Sequence, residues 1–113
     1  MSSRKAPILP YQNIINGDMS ANVTSSVTNI QYEDNVGIQL IFTGTPTGTF
    51  AVEGSIDQVD WDALPLSGTP TAAGAPDTIL IDLNQVPHPF IRVSYTFVGG
   101  VGNLNGWITA KQV

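Results

Sequence analysis

The chain has 113 residues, enough for one domain with a small core, and no cysteine, which excludes disulfides, thiolate metal sites and a cysteine nucleophile. Only 12% of its residues are charged, against about 25% in an average soluble domain, and Thr, Ser, Asn and Gly stand where Lys and Glu would usually be. All nine acids fall between Asp18 and Asp82, and the four basic residues are Arg4, Lys5, Arg92 and Lys111, so the body of the chain carries a net charge that repels nucleic acid.

In chain order, residues 1–15 read as an extended N-terminal arm or edge strand. Pro7 and Pro10 interrupt Ile8, Leu9, Tyr11, Ile14 and Ile15, and proline cannot donate to a sheet ladder. The first residues run into no apolar stretch of signal-peptide length, and no apolar run is long enough to span a membrane. Asn16-Gly17-Asp18 reads as a turn. Residues 19–32 give one strand or two short ones around Val27, Ile30 and Tyr32, closed by a turn at Glu33-Asp34-Asn35. Val36, Ile38, Leu40 and Phe42 then alternate cleanly, as do Phe50, Val52, Gly54 and Ile56 after the turn Gly44-Thr45-Pro46-Thr47-Gly48.

A short strand is expected around Trp61–Leu66, then a loop of small residues from Ser67 to Pro76. Asp77–Leu83 is a strand with Ile79, Ile81 and Leu83 inward, and Val86-Pro87-His88-Pro89 is a rigid connector. Ile91, Val93, Tyr95 and Phe97 form the inner face of a long strand, and Gly99-Gly100-Val101-Gly102 reads as a hairpin turn. In the last strand Leu104, Ile108 and Ala110 share one face and Trp107 takes the other. Seven to nine short strands with turn signals every 8–12 residues predict an all-β fold, a single antiparallel sandwich of jelly-roll or immunoglobulin-like type spanning residues 16–113.

Reactive constellations are sparse. The one histidine, His88, is held between two prolines, carries no nucleophile-elbow context, and reads as a surface turn residue. Asp57, Asp60 and Asp62 crowd around Trp61, and hard oxygen ligands at close spacing suit calcium. Their spacing is not that of an EF-hand loop, and a solvated acidic turn is the favoured reading, so no metal, cofactor or catalytic residue is assigned. Trp61 and Trp107 raise a carbohydrate platform as an alternative to core packing for Trp61 and an interface for Trp107.

The segment Gly48-Thr49-Phe50-Ala51-Val52-Glu53-Gly54-Ser55-Ile56-Asp57 followed by Trp61, with Asn35-Val36-Gly37-Ile38-Gln39-Leu40 before it and Phe90-Ile91-Arg92-Val93-Ser94-Tyr95 and Gly99-Gly100-Val101-Gly102-Asn103-Leu104 after it, resembles small β-sandwich virion proteins of tailed bacteriophages. The resemblance covers residues 16–111. It implies a non-enzymatic structural role, either capsid decoration (cement) or another head or tail position. The partners would be the major capsid protein or other virion proteins, the chain would form homo-oligomers, and it would sit in a particle assembled in the host cytoplasm. A carbohydrate-binding or host-surface adhesion module of a tail is the alternative. Within this frame Phe50, Val52, Trp61, Arg92 and Tyr95 are structural. Arg92 is expected to pair with Glu53 or Asp82 across the sheet. Ile8, Leu9, Tyr11, Ile14 and Trp107 are the expected contacts with neighbours, the arm by adding a strand to a partner's sheet edge.

Overall fold

Alternation in the sequence becomes two facing layers. The computed structural model describes residues 8–30, 35–66, 68–84 and 86–111, and its ten strands among these are all antiparallel. They are β1 (Ile8–Asp18), β2 (Val23–Thr24), β3 (Thr28–Asn29), β4 (Asn35–Phe42), β5 (Thr47–Ser55), β6 (Asp62–Ala63), β7 (Thr71–Ala73), β8 (Asp77–Leu83), β9 (Phe90–Gly99) and β10 (Asn103–Lys111). One sheet has the order β1-β10-β4-β8 and is called sheet A below. The other, sheet B, has the order β2-β9-β5-β6, with β3 also on β9 and β7 also on β5.

The inner faces are those the period of two marks. Val36, Ile38, Leu40 and Phe42 of β4, Leu104, Ile108 and Ala110 of β10, and Ile81 and Leu83 of β8 are buried from one side. Phe50 and Val52 of β5 and Ile91, Val93 and Tyr95 of β9 meet them from the other. Phe50 is the hinge of the aromatic core: its ring lies 5.6 Å from that of Phe42 and 5.0 Å from that of Tyr95, both tilted, in the range where ring pairs attract. Burial of the Tyr95 ring raises the phenol pKa, because the charged form would lose its water.

Consecutive long strands mostly lie in different sheets. β4 and β5 are joined by an arch from sheet A to sheet B, and β9 and β10 by an arch in the opposite sense. Because β4 pairs with β10 and β5 with β9, the arches run side by side. Their tips are bonded too: Thr45 N–H donates to Val101 O at 2.7 Å and Thr43 N–H to Asn103 O at 3.0 Å. The Gly99–Gly102 segment is therefore an arch and not the hairpin turn expected, since β9 and β10 never pair. Gly100 has φ of +80°, and a Cβ there would fall on the carbonyl oxygen of Thr45. Only glycine serves that point.

Other departures have local causes. Asn16-Gly17-Asp18 is not a turn but the end of β1, with Gly17 opposite Leu104. Its glycine makes room for β2, since a Cβ would lie 2.7 Å from Val23 Cγ1. The reversal follows, where Ser20 N–H donates to Asp18 Oδ1 at 2.9 Å, a contact that lowers the Asp18 pKa. Ile56 is 72% exposed, because β5 ends one residue earlier at the buried Ser55. Val27 also faces water, and Thr28 is buried instead. The small-residue loop contains β7, which tucks Ala72 into the core. The turn expected at residues 33–35 and the end of the preceding strand expected at Tyr32 lie outside the described residues, apart from Asn35, which opens β4.

Residues 8–15, the described part of the expected arm, pair with β10 of the same chain. β1 carries register shifts between Leu9 and Gln12 and between Asn13 and Ile15. The second brings two successive residues, Ile14 and Ile15, into the core, which strict alternation forbids. Ile15 then occupies the space over Gly106, where a Cβ would strike its Cγ2.

Candidate functional site

A sandwich spends its inner faces on stability, so function falls to the outer faces, the edges and the ends. One part of the outer face of sheet B is covered by the chain itself. Glu53 and Arg92 are cross-strand partners on β5 and β9, and Arg92 Nε donates to Glu53 Oε1 at 2.8 Å. Trp61 lies over them, with the Arg92 guanidinium carbon 4.1 Å from the indole centroid. Of the two carboxylates expected to take Arg92, Glu53 does; Asp82 belongs to the other sheet. Trp61 does not anchor the core: it stands just before the two-residue β6, and its ring lies on the outer face of sheet B. It is a half-buried lid on an ion pair, its Nε1–H donating to Gln58 O at 3.3 Å, and one ring face is covered by the cation.

The acidic turn beside Trp61 is built by Asp57. Its Oδ1 accepts from Val59 N–H and Asp60 N–H, both at 2.9 Å, and from Ser55 Oγ at 3.1 Å. The Asp60 and Val59 amides hold the Asp57 pKa down to about 2. Asp60 moves up, first through its hydrogen bond with Asp57 and then through that residue's charge. Gln58 sits at φ of +63° in the same turn. One oxygen of Asp57 is thus committed to closing the loop, and no group of three or more acidic or histidine ligands is arranged for a metal among the described residues. His88 is not a surface turn residue. It is half-buried, packed flat on Gly54, where a Cβ would lie 2.7 Å from its Cγ, and its Nδ1 is buried without a hydrogen-bond partner among the described residues.

The outer face of sheet A is different. Trp107, Gln39 and Leu80 are aligned across β10, β4 and β8, and in the next row stand Thr109, Gly37 and Asp82. The bulge in β1 brings Tyr11 to Trp107, ring centroids 5.9 Å apart and tilted by 58°. Together Tyr11, Trp107, Gln39, Leu80, Asp82 and Gly37 line a shallow groove of about 470 Å³. Tyr11 is 74% and Leu80 68% exposed, and Ile41 extends the apolar surface. Asn13, at the margin, spends its amide on Ile15 O and Gly106 O at 3.2 and 3.1 Å, which fixes the bulge.

Of the residues expected to meet neighbours, Tyr11 and Trp107 come together here. Ile14 points into the chain's own core and is 6% exposed, so its side chain is unavailable to a partner. Ile8 and Leu9 are placed in β1 as backbone, and their side chains lie outside the described residues. Phe50, Val52 and Tyr95 lie in the core, and Arg92 and Trp61 on the outer face of sheet B. Sequence reasoning missed Gly37, Gln39, Leu80 and Asp82 as parts of a site. The legible signal was Leu80, an apolar residue on the otherwise polar face of β8 between Thr78 and Asp82.

No family model and no curated protein sequence matches this chain. Solved structures do. The SPBc2 prophage-derived protein YomS aligns with a TM-score of 0.63 over 96% of this chain and 98% of its own, at 6% identity. This chain shares its fold with a prophage-derived protein, as the resemblance to small phage β-sandwiches implied. The Bacillus endospore appendage protein, from a family of disulfide-linked pili, and PirA each reach a TM-score of 0.49, at 12% and 11% identity. They cover 100% and 99% of this chain and 96% and 97% of their own, and are too distant to carry an argument.

Proposed function

We propose that the chain is a non-enzymatic structural protein of a bacteriophage particle, and within that class an auxiliary head protein that decorates or cements the capsid. It would bind in repeated copies to the major capsid protein, with symmetry inherited from the shell, after assembly in the host cytoplasm. The observation that carries this reading is the outer face of sheet A. There exposed Tyr11, Leu80 and Ile41 surround a half-buried Trp107, an aromatic and aliphatic surface on a chain with few charges to keep other proteins away. Aromatic residues of this kind dominate protein interfaces, and a flat sheet face suits a partner better than a small reactant. The shared fold with a prophage-derived protein agrees with it.

The test is binding to preformed particles that lack this protein. Sedimentation with capsids at a fixed stoichiometry is expected, reduced at least tenfold in affinity by Trp107→Ala. A chain that stays soluble and unbound in the presence of head and tail structures would overturn the reading.

A further inference from the structure

We propose that the groove over Gly37 receives an arginine side chain carried by a partner protein. This rests on the structural reading above and names the chemistry of its interface. Gly37 is the starting point because packing does not require it. At Gly48, Gly54, Gly102 and Gly106 an added Cβ would collide with backbone, with a histidine ring or with an isoleucine. At Gly37 the nearest atoms would be Thr109 Cγ2 at 3.6 Å and Asp82 Oδ1 at 3.9 Å, ordinary contacts, and φ is not in the left-handed region. A glycine inside a central strand weakens a sheet, and it commonly marks the close approach of a ligand or another chain. What Gly37 provides is a bare floor between Trp107 and Tyr11 on one side and Asp82 and Leu80 on the other.

The chemistry of the walls selects the occupant. Asp82 has no ion-pair or hydrogen-bond partner among the described residues, and Lys111, which lines the adjoining groove with it, does not pair with it. A carboxylate and an indole flanking an open gap fit a guanidinium, which stacks on the ring and donates to the acid. The molecule contains that arrangement once already, made within the chain: Glu53, Arg92 and Trp61 on the opposite outer face. On sheet A the acid and the indole are present in adjacent rows, with Gly37 beside Asp82 and Gln39 beside Trp107. The acidic body of the chain attracts a basic partner as well.

The experiment titrates the ¹⁵N-labelled full chain with N-acetyl-arginine methylamide, following the Trp107 indole and Gly37 amide resonances. Saturable shifts at both are expected, weakening with salt and reduced at least fivefold in affinity by Asp82→Asn and by Gly37→Val. The uncharged citrulline analogue should give no saturable shift. Gly37→Ala, which adds one methyl in ordinary contact, guards against misfolding of the valine variant. Equal response to citrulline, an unchanged response in Asp82→Asn, or shifts with methyl glucoside in place of arginine would each overturn the proposal. Capsid sedimentation separates the two readings. Wild-type binding that survives Asp82→Asn intact removes the arginine site and leaves the structural role. Loss of Asp82→Asn binding supports the arginine site, and absence of wild-type binding removes the structural role.

Discussion

The two outer faces of this sandwich each carry a carboxylate and an indole, and they differ in what stands beside those groups. On sheet B a carboxylate, a guanidinium and an indole close on one another, Glu53–Arg92–Trp61, and each has its partner within the chain. On sheet A the carboxylate of Asp82 and the indole of Trp107 flank Gly37, with Tyr11 and Leu80 left exposed. Both faces are built on the same alternation and the same core. The difference shows that an outer face becomes available for binding through what the central strand omits as much as through what its neighbours supply.

The comparison breaks most completely where the faces share support. Phe50 contacts both Phe42 of sheet A and Tyr95 of sheet B. Phe50→Ala should cost about 3–5 kcal/mol through lost burial and the cavity left behind. Urea unfolding should show that loss, and the environments of Trp61 and Trp107 should be lost in a single transition. Separate transitions for the two tryptophans would mean the sheets are energetically independent.

Closing of the sheet B face is a smaller term. Arg92 and Glu53 retain 28% and 24% exposure, so water screens much of their attraction. Arg92→Met should lower stability by about 1 kcal/mol, the ion pair and the ring contact together. The gap between wild type and variant should narrow at high salt, and a gap unaffected by salt would assign the loss to packing alone.

The acidic turn next to Trp61 adds a term visible only in acid. Asp57, with its pKa held to about 2, binds its proton more weakly folded than unfolded. Its contribution is therefore full above the unfolded value, near 4, and is lost as pH falls toward 2. Asp57→Asn should lower the melting temperature at pH 6 and flatten its decline between about pH 4 and 2. Parallel melting curves for variant and wild type across that window would show that the turn amides do not discriminate the two protonation states.

These comparisons also show what the sequence could reveal. The inner faces of β4, β8, β9 and β10 were legible because every second residue is apolar, and a cross-strand ion pair for Arg92 because a lone cation stood amid strand residues, with Glu53 and Asp82 both open to it until the register chose Glu53. Topology was not legible at Gly99–Gly102, since a glycine-rich reversal looks alike whether it returns the chain within a sheet or carries it to the other one. Only the partner strands decide, and those lie far away in sequence. Trp61 was misplaced because it stands outside any strand, just before the two-residue β6, where alternation assigns no face. The groove was half legible: Trp107 stood out as the odd residue on the polar side of β10. Tyr11 reaches it through a bulge that no local pattern announces. Gly37 reads in sequence like any other glycine, and only the geometry around it separates a glycine that space demands from one that it does not.

That separation leads to the smallest effect and the most discriminating. A Cβ at position 37 meets only ordinary contacts, so Gly37→Ala should stabilise the fold by about 0.5–1 kcal/mol, the usual gain on removing a glycine from a strand interior. Gly106→Ala, in the neighbouring strand, would drive a methyl into Ile15 and should destabilise instead. The opposite signs are the measurement, read as paired urea midpoints at unchanged slope. If both substitutions destabilise, Gly37 is needed by the sheet and its bare floor is a by-product of packing. If Gly37→Ala stabilises while capsid binding weakens, the chain keeps a glycine there at a cost to its own stability, and the cost is explained by what docks against it.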